Sequence, residues 1–292
     1  MTISVVIPNF NGEATLPKIL AALKSQSHRP DEVIVVDDGS TDGSLRQLQE
    51  FPEVKLIKQA NQGAPVARNR GVKEAAGEVV IFLDNDIIPT PQFIAEHAKL
   101  QAEASLKLVV VGKTIWDPAI KITPFMRWLE DGAQFDYRRM ERGQVDFQSF
   151  YTSNLSIKRQ FILDHHFDEE FKLPGATAFE DTELGYRLQE QGMVIRYNPF
   201  ALAYHHEVKD FDLVARRRFN EGRVSRMLYD KHPEIAGYFK DSLKSMIAPF
   251  ILSPLGGILV WLARWGQDKI NLGPIFWLAL LRSYEEGKRA AH

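Results

Sequence analysis

Five consecutive apolar residues, Val79-Val80-Ile81-Phe82-Leu83, run directly into Asp84-Asn85-Asp86, and few folds can absorb such a string. The β-branched and aromatic residues favour a strand. An unbroken apolar strand fits a sheet that is covered on both faces, as parallel sheets are. The pattern recurs along the first half of the chain. Ile3–Ile7 leads into Pro8-Asn9, and Val33–Val36 leads into Asp37-Asp38-Gly39-Ser40. Val54–Lys58 and Leu108–Gly112 read as further strands. Between them lie segments with helical periodicity. Glu13–Gln26 places Leu16, Ile19, Leu20 and Leu23 on one face, and Thr41–Glu50, Ala64–Ala75 and Pro91–Ala104 follow. Strand–helix alternation of this kind predicts an α/β fold, a mostly parallel sheet with flanking helices.

After about Trp116 the alternation loosens. Lys121–Gly143 reads as an irregular or helical insert, Thr152–Lys158 and Val194–Tyr197 as strands, and Thr182–Gln191 as a helix stopped by Gly192. A shift near Asp230–Tyr238 predicts a main domain over residues 1–230 and a helical, apolar appendage over residues 231–292. Lys and Arg number 36 against 38 Asp and Glu, a formal charge of -2, so nothing draws the whole chain to nucleic acid and none is expected as a partner. The chain has no cysteine, which excludes disulfides, zinc–thiolate and iron–sulfur sites and a thiol nucleophile. Met1–Pro8 has no basic lead and too short an apolar run for a signal peptide, which points to a cytoplasmic protein.

Ligands of parallel sheets bind beyond the carboxyl ends of the strands. Two acidic clusters fall there, Asp37-Asp38 and Asp84-Asn85-Asp86. Asp42 reads as a turn former or helix cap. Asp84 and Asp86, one residue apart, suit a hard divalent cation. In Asn61–Gly71, Gly63 permits a tight turn into a helix start that could face an anion. Arg68 and Arg70 either bind phosphate there or form an exposed basic face. In Gly175–Leu184, Asp181 is either a helix cap or a general base, and Glu180 and Glu183 either crowd it with like charge or face solvent. In Tyr204-His205-His206-Glu207, His205 is the candidate third metal ligand, with His206 as its rival.

Taken in order, these strings resemble the family 2 glycosyltransferases of the GT-A fold, a Rossmann-like nucleotide-diphospho-sugar transferase architecture, over about residues 1–230. The resemblance implies a donor-binding set of Pro8, Asn9, Asn11, Asp38, Arg68, Asn69, Asp84, Asn85, Asn154 and Glu180. Within it, Pro8 and Asn9 line the nucleotide pocket and Asp38 accepts from the base, typically uracil. Asp84 lies by the ribose and donor sugar, and Asn154 by the sugar or acceptor. It implies Asp86 and His205 as ligands of Mn²⁺ or Mg²⁺, and Asp181 as the base that activates an acceptor hydroxyl for inverting attack. The donor is then UDP- or dTDP-linked, and the acceptor is a saccharide or lipid-linked saccharide in cell-surface polysaccharide or glycolipid synthesis. Processive members carry Q-x-x-R-W after the base. Here Arg216-Arg217-Arg218-Phe219-Asn220-Glu221-Gly222-Arg223 has no Trp, which implies single transfer, with at most one or two of the arginines on the diphosphate. A nucleotidyltransferase would carry a Gly-rich basic loop after the first strand, where this chain has Pro8-Asn9-Phe10-Asn11-Gly12-Glu13. A sugar-nucleotide-binding protein without turnover would not need Asp84, Asp86, Asp181 and His205 together.

Ser245–Ala263 is uncharged for about 19 residues, near the roughly 20 that cross a bilayer. Pro249, Pro254, Gly256 and Gly257 interrupt it, Trp261, Arg264 and Trp265 close it, and Ile275–Leu281 forms a second apolar patch. A packed helical hairpin, an interfacial segment and a true span all fit. The Trp and Arg flanks suit the membrane interface. The expectation is peripheral membrane contact through residues 245–281, on the cytoplasmic face.

Overall fold

The computed structural model describes residues 1–103, 105–173, 176–239 and 242–291. Gly175, in the segment before Asp181, lies outside the described residues, as do the side chains of Ser245 and Met246 in the uncharged run. The strands are β1 (Ile3–Asn9), β2 (Glu32–Asp37), β3 (Lys55–Lys58), β4 (Val79–Leu83), β5 (Ile87–Pro89), β6 (Leu108–Trp116), β7 (Asn154–Lys158), β8 (Lys172–Leu173), β9 (Ala176–Thr177) and β10 (Val194–His205). Eight form one sheet in the order β3-β2-β1-β4-β7-β6-β10-β5, and β8 pairs with β9.

The pairs β3–β2, β2–β1, β1–β4 and β6–β10 are parallel; β7 runs antiparallel to β4 and β6, and β5 antiparallel to β10. The expected parallel α/β sheet is therefore present in mixed form. Every residue of β4 is buried, as an apolar run covered on both faces requires. The helix Leu16–Lys24 buries Leu16, Ile19, Leu20 and Leu23 against β1 and β4, the face its periodicity predicts. The helix Ala64–Glu74 lies so close to β1 that a Cβ on Gly71 would stand 2.3 Å from Val6 Cγ1.

Two differences from the sequence pattern shape the site. β10 continues to His205, past Asn198-Pro199-Phe200, because its pairing with β6 shifts register between Asn198 and Leu202. Such an irregularity accommodates a proline that cannot donate to the ladder. β5 is three residues long, too short to carry a pattern, and it pairs His205 with Ile87.

The chain folds as two compact units. The first comprises Met1–Ile120, Asp136–Glu169 and Asp181–Glu207 and contains the eight-stranded sheet. The second comprises Lys121–Phe135, Glu170–Glu180 and Val208–His292. In the second unit the helices Phe211–Lys231 and Gly273–Ala290 meet at glycines. A Cβ on Gly222 would stand 2.0 Å from the Tyr284 carbonyl oxygen, and one on Gly287 1.9 Å from that of Phe219. Phe125, Trp128, Phe211 and Phe276 stack into one aromatic cluster, with Phe125 and Phe276 edge-on at 5.0 Å. Arg217 and Arg218 pair with Glu221, and Arg226 with Asp230, all within their own helix.

The uncharged run breaks at Leu252-Ser253, between the helices Ser242–Ile251 and Pro254–Gly266. Pro254 sits at the first helical position, where its missing N–H costs nothing. Pro249 stays inside the preceding helix. Arg282 donates to the carbonyls of Ile251 and Ser253 at 3.0 and 2.8 Å, satisfying the broken end. Among the described residues, no helix is long and apolar enough to cross a membrane.

Gly287→Ala should destabilise the fold by about 1–3 kcal/mol, because the obstructing atom is backbone and cannot rotate aside. Urea unfolding reads this directly, and Gly257→Ala, at a helical glycine whose Cβ would meet nothing within 4 Å, is the matched control.

Candidate active site

The carboxyl ends of β1, β2 and β4 converge because their registers are aligned: Asn9 lies beside Asp37, and Val6 beside Phe82. The first polar residues after each apolar strand therefore emerge along one edge. Asn9 ties this edge together. Its Nδ2 donates to Asp37 Oδ1 at 3.0 Å and to Ser40 Oγ at 3.1 Å, and its Oδ1 accepts from Asn85 Nδ2 at 3.0 Å. Above the edge opens a cleft of about 210 Å³ lined by Pro8, Asn9, Phe10, Asp38, Ala64, Ala67, Arg68, Asp84, Asn85 and Asp86.

Asp38 holds the wall of this cleft. It accepts from the backbone N–H groups of Gln62 and Gly63 at 2.8 and 2.7 Å and from Gln59 Nε2 at 2.8 Å. Gly63 adopts φ 91°, open to glycine, and launches the helix Ala64–Glu74. That helix carries Arg68 inward. Arg68 is a nearly buried cation, 5% exposed, and Nη2 donates to Asp84 Oδ1 at 2.9 Å while Nη1 lies 3.6 Å from Asp181 Oδ1. Its guanidinium sits 5.6 Å from the Phe167 ring centre. One cation thus joins carboxylates that are 97 residues apart (181 − 84). Asp181 also accepts from Thr152.

The second cluster forms where β5 pairs with β10. His205 Nε2 lies 3.0 Å from Asp86 Oδ2 and 3.5 Å from Glu207 Oε2, and one ligand atom from each of the three residues falls within 4.8 Å of the others. Trp116 stacks on the imidazole at 4.9 Å. The adjacent His206 faces elsewhere. Its Nδ1 lies 2.6 Å from Asp117 Oδ2 and its Nε2 2.7 Å from Lys18 Nζ, so the ring donates to Asp117 and accepts from Lys18. Two carboxylates and one imidazole form a donor set that suits a divalent ion with mixed oxygen and nitrogen preference. Glu207 was not expected. A spacing of two in extended chain puts it on the same side as His205, a signal legible in the sequence.

Not every expected residue joins the cleft. Asn11, at φ 53°, accepts from the Thr41 backbone N–H at 2.8 Å and fastens the exits of β1 and β2. Asn69 is matched to the Phe167 backbone: Nδ2 donates to its carbonyl and Oδ1 accepts from its N–H, both at 2.9 Å. Asn154 is buried inside the sheet. It accepts from His97 at 2.9 Å and donates to the carbonyls of Lys113 and Ala201. Glu180 falls in the second unit. Glu183 does not face solvent. It is buried and held by Arg187 at 2.7 and 2.9 Å. Asp42 is the expected turn former, accepting from Ser44 N–H at 3.0 Å and Glu13 N–H at 2.9 Å.

Residues 4–164, more than half of the chain, match Glycosyl transferase family 2. The chain belongs to this family. It is 28% identical over 275 residues to a validoxylamine A glucosyltransferase of Streptomyces hygroscopicus subsp. limoneus, covering 80% of this chain and 57% of that relative. The chain thus spans little more than half of that relative's length. Its fold is the GT-A fold of solved structures. One is a mannosyltransferase of Pyrobaculum calidifontis in complex with GDP-Man and Mn²⁺, at TM-score 0.63 and 16% identity, covering 99% of this chain and 86% of that one. Another is the glucosyl-3-phosphoglycerate synthase of Mycobacterium tuberculosis with Mn²⁺, UDP-glucose and phosphoglyceric acid, at TM-score 0.54 and 19% identity, covering 78% and 79%.

His97, beneath Asn154, carries a pH signature. Its Nε2–H donates to Asn154 and its Nδ1 accepts from Ser156 Oγ at 2.9 Å. Burial pushes its pKa down from 6.5 to about 4, against the pull of the Asn154 hydrogen bond and nearby Glu96. Above pH 6.5 the ring is neutral in both states. Between 6.5 and about 4 only the unfolded chain takes up the proton, so stability falls across that window, by about 3 kcal/mol. Urea unfolding through this range should show that fall in the wild type and a shallower one in His97→Gln.

Proposed function

We propose that this chain is a metal-dependent, inverting glycosyltransferase. It moves one sugar from a UDP- or dTDP-linked donor to a hydroxyl of a saccharide or lipid-linked saccharide, in cell-surface polysaccharide or glycolipid synthesis. The observation that carries the reading is the junction of Asp84 and Asp181 on buried Arg68, at the cleft that Asp86 also lines. Family membership and the donors in the two structural neighbours support the reaction class.

Pro8, Asn9 and Asp38 form the wall for the nucleoside, with Asp38 as acceptor for the base. Asp84 faces ribose and sugar while Arg68 holds it in place. Asp86 and His205, joined by Glu207, are the residues to hold the cation, and the imidazole among them favours Mn²⁺ over Mg²⁺. Such an ion supplies Lewis-acid stabilisation of the diphosphate leaving group. Asp181 takes the acceptor's proton as its oxygen attacks the anomeric carbon opposite the departing diphosphate. Asn11, Asn69 and Asn154 then act by shaping the cleft's surroundings. The division of roles, catalytic through residue 230 and appended from 231, is part of this proposal.

Turnover of a nucleotide-sugar panel with Mn²⁺ tests it. Asp86→Ala should lose Mn²⁺-dependent UDP binding. Asp181→Asn should keep binding and lose turnover by about 10²–10⁴-fold, the usual contribution of a general base. Turnover at the wild-type rate in either variant defeats the mechanism.

We further propose that the appendage rests on the cytoplasmic face of a membrane. On the helix Pro254–Gly266, Leu255, Ile258, Trp261 and Trp265 recur every three or four residues and are 47% to 62% exposed, an apolar stripe turned outward. Lys269 Nζ lies 4.5 Å from the Trp265 ring centre, and Arg264 is one residue before it. Tryptophan with basic neighbours beside an apolar stripe fits the headgroup boundary of an anionic bilayer. Ile258→Ser with Trp261→Ser should lower co-sedimentation with anionic phospholipid vesicles by about tenfold. Unchanged partition, or a dimer lost in the variant, would assign the stripe elsewhere.

A further inference from the structure

Thr152 grips the carboxylate of Asp181 through two groups, its hydroxyl and its backbone N–H. The Thr152 hydroxyl lies 2.8 Å from Oδ1 and 2.8 Å from Oδ2, and the Thr152 backbone N–H donates to Oδ2 at 3.2 Å. Thr152 is completely buried, two residues ahead of β7, where Asn154 pairs with Leu83 at the end of β4. The grip is thus anchored to the strand that delivers Asp84, not to a surface loop.

Two further donors near this carboxylate differ from the hydroxyl in one respect. Arg68 and the Thr152 N–H can only donate, so neither can accept from the carboxyl once it carries a proton. A hydroxyl carries one proton and two lone pairs. At equal distances it donates to either oxygen of the ionised form. Once the carboxyl is protonated, it can turn and accept from it. From these facts we infer that Thr152 is the positioning residue of the general base, holding Asp181 in one orientation before and after proton transfer. The inference rests on the reading of Asp181 as that base. In the step itself the acceptor O–H bond breaks and its proton passes to Asp181. The acceptor oxygen bonds to the anomeric carbon, and the bond to the diphosphate breaks with its electron pair leaving on the diphosphate. Thr152 ends with the proton it began with.

A purely structural role, pinning the helix Glu180–Glu190 to the sheet, makes a different prediction. It would lower the melting temperature and raise the donor KM. A positioning role lowers kcat alone.

The test compares Thr152→Val, which removes the hydroxyl at nearly constant shape, with Thr152→Ser, which keeps it. The valine variant should lose about 10–100-fold in kcat, a fraction of what a general base supplies, with donor KM and Mn²⁺-dependent UDP binding within about twofold of wild type. The serine variant should recover kcat to within about threefold. In an Asp181→Asn background Thr152→Val should lower kcat no further, as expected for two groups acting as one. Should the valine variant fail to fold, Thr152→Ala against Thr152→Ser gives the same comparison at nearly equal volume. The inference is overturned by wild-type kcat in the valine or alanine variant while Asp181→Asn is inactive, by serine as slow as valine, or by a loss confined to KM. Wild-type turnover in Asp181→Asn would instead defeat the reading of the base itself.

Discussion

Burial of β4 on both faces is the constraint on which the site depends. Val79–Leu83 has no polar side chain and no exposed residue, so the strand is locked into the middle of the sheet. A slip of one residue would reverse which side chains face which helices. With β4 locked, Asp84-Asn85-Asp86 must emerge at its carboxyl end. Parallel alignment with β1 and β2 then brings Asn9 and Asp37-Asp38 out along the same edge.

Charge at that edge is organised around Arg68. A guanidinium this deeply buried is costly unless paired. Asp84 and Asp181 are its partners, and they in turn gain a fixed cation in a cleft of reduced dielectric. The metal-type cluster draws its other partners from another part of the sheet. Asp86 lies one residue past Asn85, and its partners come from the far end of β10. The Asp117–His206–Lys18 chain beside it keeps the second histidine occupied, which leaves His205 to meet Asp86.

Much of this is legible in the amino-acid sequence. The β1, β2 and β4 strands, the acidic residues at their ends and the helix bearing Arg68 follow from local pattern. Cleft-lining Pro8, Asn9, Asp38, Arg68, Asp84, Asn85 and Asp86 all come from segments short enough to be read as strings. Asn69 and Asn154 show where such reading stops. An amide beside a motif looks the same whether it faces a ligand or the backbone of Phe167, because the partner is about a hundred residues away. The run Ser245–Ala263 shows the same limit. Its composition allowed a span, a hairpin or an interfacial helix, and the break at Leu252-Ser253 is stabilised by Arg282, a side chain outside the run.

The sequence by itself determined the strand-and-helix alternation, the carboxylates at the strand ends and the kinship with family 2 glycosyltransferases. These rest on hydrophobic period and on residues near in sequence. Only the tertiary structure decided which histidine meets Asp86 and that Thr152 holds Asp181. Each of those depends on pairing between distant segments: β5 with β10, and the Asp181 helix with the start of β7. Such pairings are settled by how buried strands align in the sheet, and no local pattern of residues encodes them.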